Sequence, residues 1–239
     1  MSRESPAEAG LVAADSAAED ERAAPSPPEA ERVFGSALPL ATRYAELLAT
    51  DGVQRGLLGP REVPRLWERH LLNCAVVADL VPADAEVVDV GSGAGLPGLV
   101  IAILRPSVRM ILLEPMLRRT VFLEECVAAL ELANVTVRRG RAEELAGTLR
   151  ADVATSRAVA PLDRLVPLSA GVIRPGGTIL AIKGRDAEAE LRQAAPVLRQ
   201  LGVRSADVVK VGQGIVEPPA TVVRILTGEK GRQRPRRRR

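Results

Sequence analysis

Aromatic side chains are scarce in this chain: two Phe, one Tyr and one Trp among 239 residues. A single-strand nucleic-acid binder that stacks bases on rings needs several such platforms, so that class is set aside. Histidine occurs once, at His70. That leaves no material for a catalytic histidine dyad or a His-rich metal centre. Cysteine occurs twice, at Cys74 and Cys126, in apolar surroundings and without metal-ligand spacing. Both read as buried thiols of a reducing compartment, and no metal is expected. No apolar run reaches bilayer length, and the N-terminus lacks a basic-then-apolar signal pattern. A cytoplasmic protein without a membrane partner is expected.

Charge of either sign is plentiful and nearly balanced, with a formal net charge of +3. Its placement is uneven. Residues 1–32 are rich in Ala, Pro, Glu and Asp, whereas Gly231 to Arg239 are nearly all arginine. Neither block can bury a core, so both are expected to be disordered. The basic end suits a polyanion tether, or a merely solubilising tail.

Between the blocks the pattern is regular. Leu40, Tyr44, Leu47 and Leu48 recur at helical spacing over 34–51. Leu66, Trp67, His70, Leu71, Cys74 and Val77 line a second helix that ends before Pro82. From Ala85 onward β-branched runs alternate with helical ones. Strands are expected at 86–90, 108–114, 135–138, 152–155 and 178–183. Helices are expected at 96–104, 117–132, 162–173 and 186–201, with a brief one opening at Arg141. Two last runs, 206–211 and 220–226, suit an antiparallel pair at a sheet edge. Repeated βα units predict an α/β fold: an open, mostly parallel sheet of seven strands with helices on both faces and an N-terminal helical cap. Ligands then bind at the carboxyl ends of the strands.

The stretch from Ala85 to Met116 points to one ligand class. Val87-Val88-Asp89-Val90 leads into Gly91, Gly93 and Gly95, and the next strand ends at Glu114. Glycines there let the backbone pass close to a ligand that a Cβ would block. Gly93-Ala-Gly-Leu-Pro-Gly98 also satisfies the dinucleotide pattern. Asp89 would repel a pyrophosphate, however, and Pro97 removes an N–H that phosphate would use. A carboxylate at position 89 suits the sulfonium and ammonium of S-adenosylmethionine. Glu114 can accept ribose hydroxyls of either ligand. S-adenosylmethionine is the expected cofactor, and a nicotinamide-dependent oxidoreductase is the alternative.

The run Asp89-Val-Gly-Ser-Gly-Ala-Gly-Leu-Pro-Gly-Leu99, with Arg105-Pro106, resembles the signature of the bacterial 16S rRNA guanine-N7 methyltransferases of the glucose-inhibited division protein B family. Further matches follow in order: Arg69-His70-Leu-Leu, Leu113-Glu114 with Arg119 and Phe122-Leu123, Arg141-Ala-Glu-Glu144, Ser156-Arg157-Ala158, and Ala181-Ile-Lys183-Gly184. The resemblance covers roughly residues 35–227. It implies a Rossmann-like class I methyltransferase that moves a methyl group from S-adenosylmethionine to N7 of one guanine in 16S rRNA. Loss of that methyl group is associated in the family with streptomycin resistance. The division expected is a leader over 1–32, a helical cap over 33–82, a methyltransferase domain over 83–228 and a tail over 229–239. The partner is 16S rRNA or the small ribosomal subunit, and the chain is expected to act as a monomer.

The resemblance also implies roles. The methionine end of the cofactor lies against Gly91 and Leu96, near Asp89 and Gly93. Glu114 takes the ribose, and Ala142 and Glu143 meet the adenine edge. Arg157 and Lys183 are positioning candidates, Arg157 touching both cofactor and RNA. Arg118, Arg119, Arg141 and Lys183 are candidates for holding rRNA. Asn73 stands where family members often carry Asp, and Glu114 where Asp is commoner. His70 reads as a core or hinge histidine, with an RNA contact as the alternative. Guanine N7 has a free lone pair at neutral pH, so no general base is needed. Another S-adenosylmethionine-dependent methyltransferase remains the nearer alternative function.

Overall fold

Val87 and Val88 point to opposite faces of the same strand, and both are fully buried. A strand buried on both faces belongs in the middle of a sheet that is covered on both sides. The protein, seen in a computed structural model that describes residues 23–229, is built in this way. Seven strands run β1 (Glu86–Val90), β2 (Arg109–Glu114), β3 (Val135–Arg139), β4 (Ala151–Arg157), β5 (Ile173–Lys183), β6 (Ser205–Val211) and β7 (Ala220–Leu226). Their spatial order is β3-β2-β1-β4-β5-β7-β6. β1 to β5 are parallel, and β7 lies antiparallel between β5 and β6. The order reverses between β1 and β4, which opens a crevice at their carboxyl ends. This is the Rossmann-like architecture, with the expected antiparallel pair at one edge.

The two faces hold separate apolar clusters. Val87, Leu112, Val153 and Leu180 face the cap, α3 (Gly98–Leu104) and α4 (Leu117–Ala129). Val88, Leu113, Ala154 and Ile179 face α5 (Leu162–Val172) and α6 (Ala187–Gln200). The cap opens with α1 (Pro28–Phe34) and α2 (Leu38–Leu47). After a loop it resumes as a wide-turn helix, Leu66–Leu72, that continues into Asn73–Ala75.

The scarce aromatics all serve as joints. Phe34 meets Trp67 edge-on with ring centroids 6.1 Å apart. The Trp67 indole donates to the Ala24 carbonyl at 2.8 Å. The Tyr44 hydroxyl, fully buried, donates to the Ala94 carbonyl at 2.8 Å and so ties α2 to the glycine turn. Phe122 is buried under the Arg55 guanidinium, 5.7 Å above its ring.

The elements differ from the sequence expectation at four places. The leader was expected to reach residue 32, yet α1 begins at Pro28 and Ala30 is fully buried. Residues 1–22 and 230–239 lie outside the described residues. The first core helix begins at Gly98 rather than residue 96, because Gly91, Gly93 and Gly95 take left-handed backbone. The segment from Arg141 makes a single turn, in which the Glu144 carboxylate caps the Arg141 N–H at 3.0 Å. The strand expected at 178–183 begins already at Ile173, and Arg174 to Gly177 form a bulge within β5, with Gly176 at φ +75°.

Candidate functional site

The crevice at the strand carboxyl ends holds two adjoining cavities. The first has a volume of about 460 Å³ and lies over the turn after β1. Gly91, Gly93, Leu96, Glu114, Pro115, Met116 and Arg119 line one wall. The cap supplies Leu57, Leu58 and His70, and the loop after β4 supplies Arg157, Ala158 and Val159. Gly91 and Gly93 have φ of +71° and +59°. A Cβ on Gly91 would come within 3.0 Å of the Val159 side chain across the cavity. Glycine keeps that space open.

Glu114 tips β2 and is 1% exposed. One carboxylate oxygen accepts the Gly93 N–H at 3.0 Å and the other accepts the Met116 N–H at 3.0 Å. The acid thereby pins the glycine turn to the end of β2 and faces the cavity. Arg119 Nη1 stands 3.8 Å away, while its Nε is buried without a partner. Arg119, a candidate for holding rRNA, stands beside Glu114 and lines this cavity.

Asp89 is a correction. Its side chain was expected to face a cationic ligand, but it is fully buried and does not line the cavity. Strand alternation turns residue 89 toward α3, where the first helical N–H lies nearest. Asp89 Oδ2 accepts the Gly98 N–H at 3.1 Å, and Oδ1 accepts the Thr155 hydroxyl at 3.2 Å. The Ser92 hydroxyl donates to the Asp89 carbonyl at 2.9 Å. Burial pushes the Asp89 carboxyl up to about 7, against the lowering effect of these hydrogen bonds. Asp89 shapes the glycine turn from behind.

The second cavity, about 960 Å³, is a groove beyond β4 and β5. Arg65, Arg69, Arg157, Lys183, Arg185 and Lys210 line it, against Glu68, Glu190 and Glu217. Lys183 is 9% exposed and donates to the Ala160 carbonyl and to Glu190, each at 2.7 Å. Glu190 also accepts the Leu162 N–H at 3.2 Å. Lys183 therefore clamps the loop after β4 to α6 and has one remaining N–H for the groove.

The two cavities share Arg157, Ala158 and Val159. Ala158 has φ of +54°, a strained value for a residue with a Cβ. Arg157 Nη2 donates to the Arg69 carbonyl at 3.2 Å and meets His70 Nδ1 at 2.8 Å. Its Nη1 reaches the Cys74 sulfur at 3.4 Å. His70 Nε2 in turn lies 2.7 Å from Glu62. The hinge reading of His70 matches this position between the cap and β4.

The remaining sequence candidates lie outside both cavities. Ala142 is buried in the apolar cluster under α5, and Glu143 is exposed. They follow Gly140, whose N–H donates to the Glu114 carbonyl at 3.2 Å, so they flank the first cavity without lining it. Arg118 and Arg141 are exposed, just after β2 and β3 respectively. Sequence reasoning gave no role to Arg65, Arg69, Arg185, Lys210 or Glu62. The Arg69-His70 pair was the one signal available for this wall. Among the described residues, no group of three or more His, Cys, Asp and Glu is placed to hold a metal ion. No helix among them is long and apolar enough to cross a membrane.

The parallel sheet reversing at β1 and β4, with the antiparallel β7 between β5 and β6, is the fold of the class I S-adenosylmethionine-dependent methyltransferases. The family model described as GidB, rRNA small subunit methyltransferase G, matches residues 37–217. The chain belongs to this family. Ribosomal RNA small subunit methyltransferase G of Thermobifida fusca is 60% identical over 196 residues, covering 82% of this chain and 83% of the relative. Its counterpart in Streptomyces avermitilis is 56% identical over 206 residues, covering 86% and 87%. Solved structures agree on the fold. The cofactor-bound protein Rv0187 from MTB aligns with a TM-score of 0.52 at 16% identity, over 82% of this chain and 91% of that one. A SAM-dependent O-methyltransferase from Thermotoga maritima aligns with a TM-score of 0.52 at 14% identity, over 65% and 64%.

Proposed function

We propose that the enzyme methylates N7 of one guanine in 16S rRNA, as a cytoplasmic monomer acting on the RNA or the small subunit. The observation that carries this reading is the shared wall. Arg157, Ala158 and Val159 border both the cofactor-sized cavity and a groove with six cationic side chains against three acidic ones. Such an excess of positive charge suits an RNA backbone. A base turned into the groove would stand across that wall from the cofactor.

S-adenosylmethionine, when bound, supplies a methyl group on a sulfonium. Gly91, Gly93 and Leu96 would hold its methionine end and Glu114 its ribose. Met116, 42% exposed at the cavity rim, offers apolar cover, with Ala142 and Glu143 beyond it toward the adenine. The chain's further task is alignment. Guanine N7 carries a free lone pair, so no group need remove a proton. Holding two reactants in line is worth roughly 7–11 kcal/mol. The methylated ring is cationic, so an arginine over it would hinder the reaction. Arg157 and Lys183 therefore act at guanine O6 or at phosphate, leaving N7 open. Arg118 and Arg141, beyond β2 and β3 on the far side of the cofactor cavity, would offer a second set of phosphate contacts.

The direct experiment is to map N7-methylguanine in small-subunit rRNA from cells with and without the gene. A single guanine should lose its methyl group in the deletion, and streptomycin resistance should rise. Unchanged methylation would overturn the reading.

A further inference from the structure

The one histidine of the chain stands between an acid and the arginine at the shared wall. His70 is 8% exposed, and both ring nitrogens are engaged. A guanidinium has only donors. Arg157 Nη2, 2.8 Å from His70 Nδ1, therefore requires a lone pair on that nitrogen. The ring proton then sits on Nε2 and is donated to the Glu62 carboxylate at 2.7 Å. Glu62 in turn takes Arg69 Nη1 at 3.2 Å on its other oxygen. Glu62 is 8 residues from His70, whereas Arg157 is 87 residues away on another element. The chain of bonds runs from the cap loop, through the cap helix, to the end of β4.

We propose that Glu62 and His70 are positioning residues that aim the Arg157 guanidinium at the junction of the two cavities, and that they do so only while the imidazole is neutral. The proposal deepens the rRNA methyltransferase reading and rests on it. Glu62 fixes the tautomer, and the tautomer presents the acceptor that Arg157 needs. Protonation would place an N–H and a positive charge against Arg157, and the guanidinium would leave. The charged and titratable groups around the ring are Glu62 from the cap loop, Arg69 from its own helix, Cys74 one turn on and Arg157 from β4. Glu114 and Arg119 line the same cavity. Burial and Arg157 lower the His70 pKa from its ordinary value, and the Glu62 bond only partly offsets them. The same bond lowers Glu62, which stays ionised as the acceptor.

Because the chain has one histidine, the test is unambiguous in the full-length, untagged protein. The imidazole is titrated by nitrogen-15 NMR, and total methyl incorporation into small-subunit rRNA is measured across the same pH range. At neutral pH, Nδ1 should show the unprotonated nitrogen signal and Nε2 the protonated one. The rate of transfer should fall at acid pH with the midpoint of the imidazole titration, while the melting temperature stays above that of the assay. Glu62→Gln keeps an acceptor for Nε2 but removes the charge. It should move both midpoints to lower pH together, by about half a unit or more. Glu62→Ala removes both the charge and the acceptor, so it should lower the midpoint at least as far and, unlike Glu62→Gln, should also lower the rate at neutral pH because the tautomer is released. A protonated Nδ1 at neutral pH, or a rate unaffected by the imidazole titration, would overturn the proposal. Scoring total incorporation keeps the two ideas apart: methyl label on another rRNA nucleotide refutes guanine N7, whereas a missing acid limb refutes the relay.

Discussion

The two walls of the crevice are made in opposite ways. The β1–β2 wall is continuous chain: a strand, a glycine turn and the acid that tips the next strand, with Glu114 only 21 residues from Gly93. Its polar groups answer one another through backbone N–H bonds, and its buried acid, Glu114, has Arg119 of the next helix beside it. The β4–β5 wall is assembled from side chains brought from afar. Arg157 is held by residues 83 to 88 positions away, and Lys183 by a loop and a helix. The first wall offers a fixed mould and the second an array of cations on adjustable stems. That is the division expected when one site must hold a small ligand of constant shape and the other a polyanion.

The contrast can be broken most severely at Asp89. Ionising a carboxyl whose pKa has risen from 3.8 to about 7 costs up to about 4 kcal/mol. A raised folded pKa gives stability that is complete below the unfolded value and lost as pH rises through about 7. Denaturation between about pH 4 and 7 should show that decline, and Asp89→Asn should flatten it while its one amide oxygen still accepts the Gly98 N–H and its NH2 donates to the Thr155 hydroxyl oxygen. An unchanged slope in the variant would show that Asp89 does not govern the turn.

Next in size is Arg157→Ala. Methyl transfer should fall about 100-fold, with S-adenosylhomocysteine affinity changed no more than about threefold. Equal losses in both would assign Arg157 to the cofactor wall alone.

Gly98→Ala tests the mould. A Cβ there would meet the Leu112 side chain and come within 2.8 Å of an Asp89 carboxylate oxygen. The expected loss is about 2 kcal/mol by urea unfolding, with weaker S-adenosylhomocysteine binding. A silent substitution would mean the turn can yield.

The smallest effect belongs to one groove cation. Arg185→Ala should weaken subunit binding a few-fold and reduce the salt slope by about one. Cofactor affinity should not move.

How much could be read beforehand follows the same line. Val87-Val88-Asp89-Val90 and the three glycines announced β1 and its turn, because strand period and glycine spacing are local properties. Arg157 and Lys183 were legible through short motifs. The direction of Asp89 was not, since it depends on which face of β1 meets α3. The demotion of Arg141 to a turn was also hidden, because Glu144 captures the N–H that a helix would have started from. Glu62, Arg65 and Arg185 carried no signal, as exposed charges on loops and turns look alike in sequence.

The sequence by itself determined the alternation of strands and helices, the glycine turn and the acid at the next strand tip, and hence the cofactor class. These lie within one βαβ stretch, where chain connectivity places them together. Only the tertiary structure decided that Glu62, His70 and Arg157 form one chain of hydrogen bonds and that two cavities share a wall. Those contacts join residues far apart in the chain, and packing of the cap on the sheet, not local pattern, sets such distances.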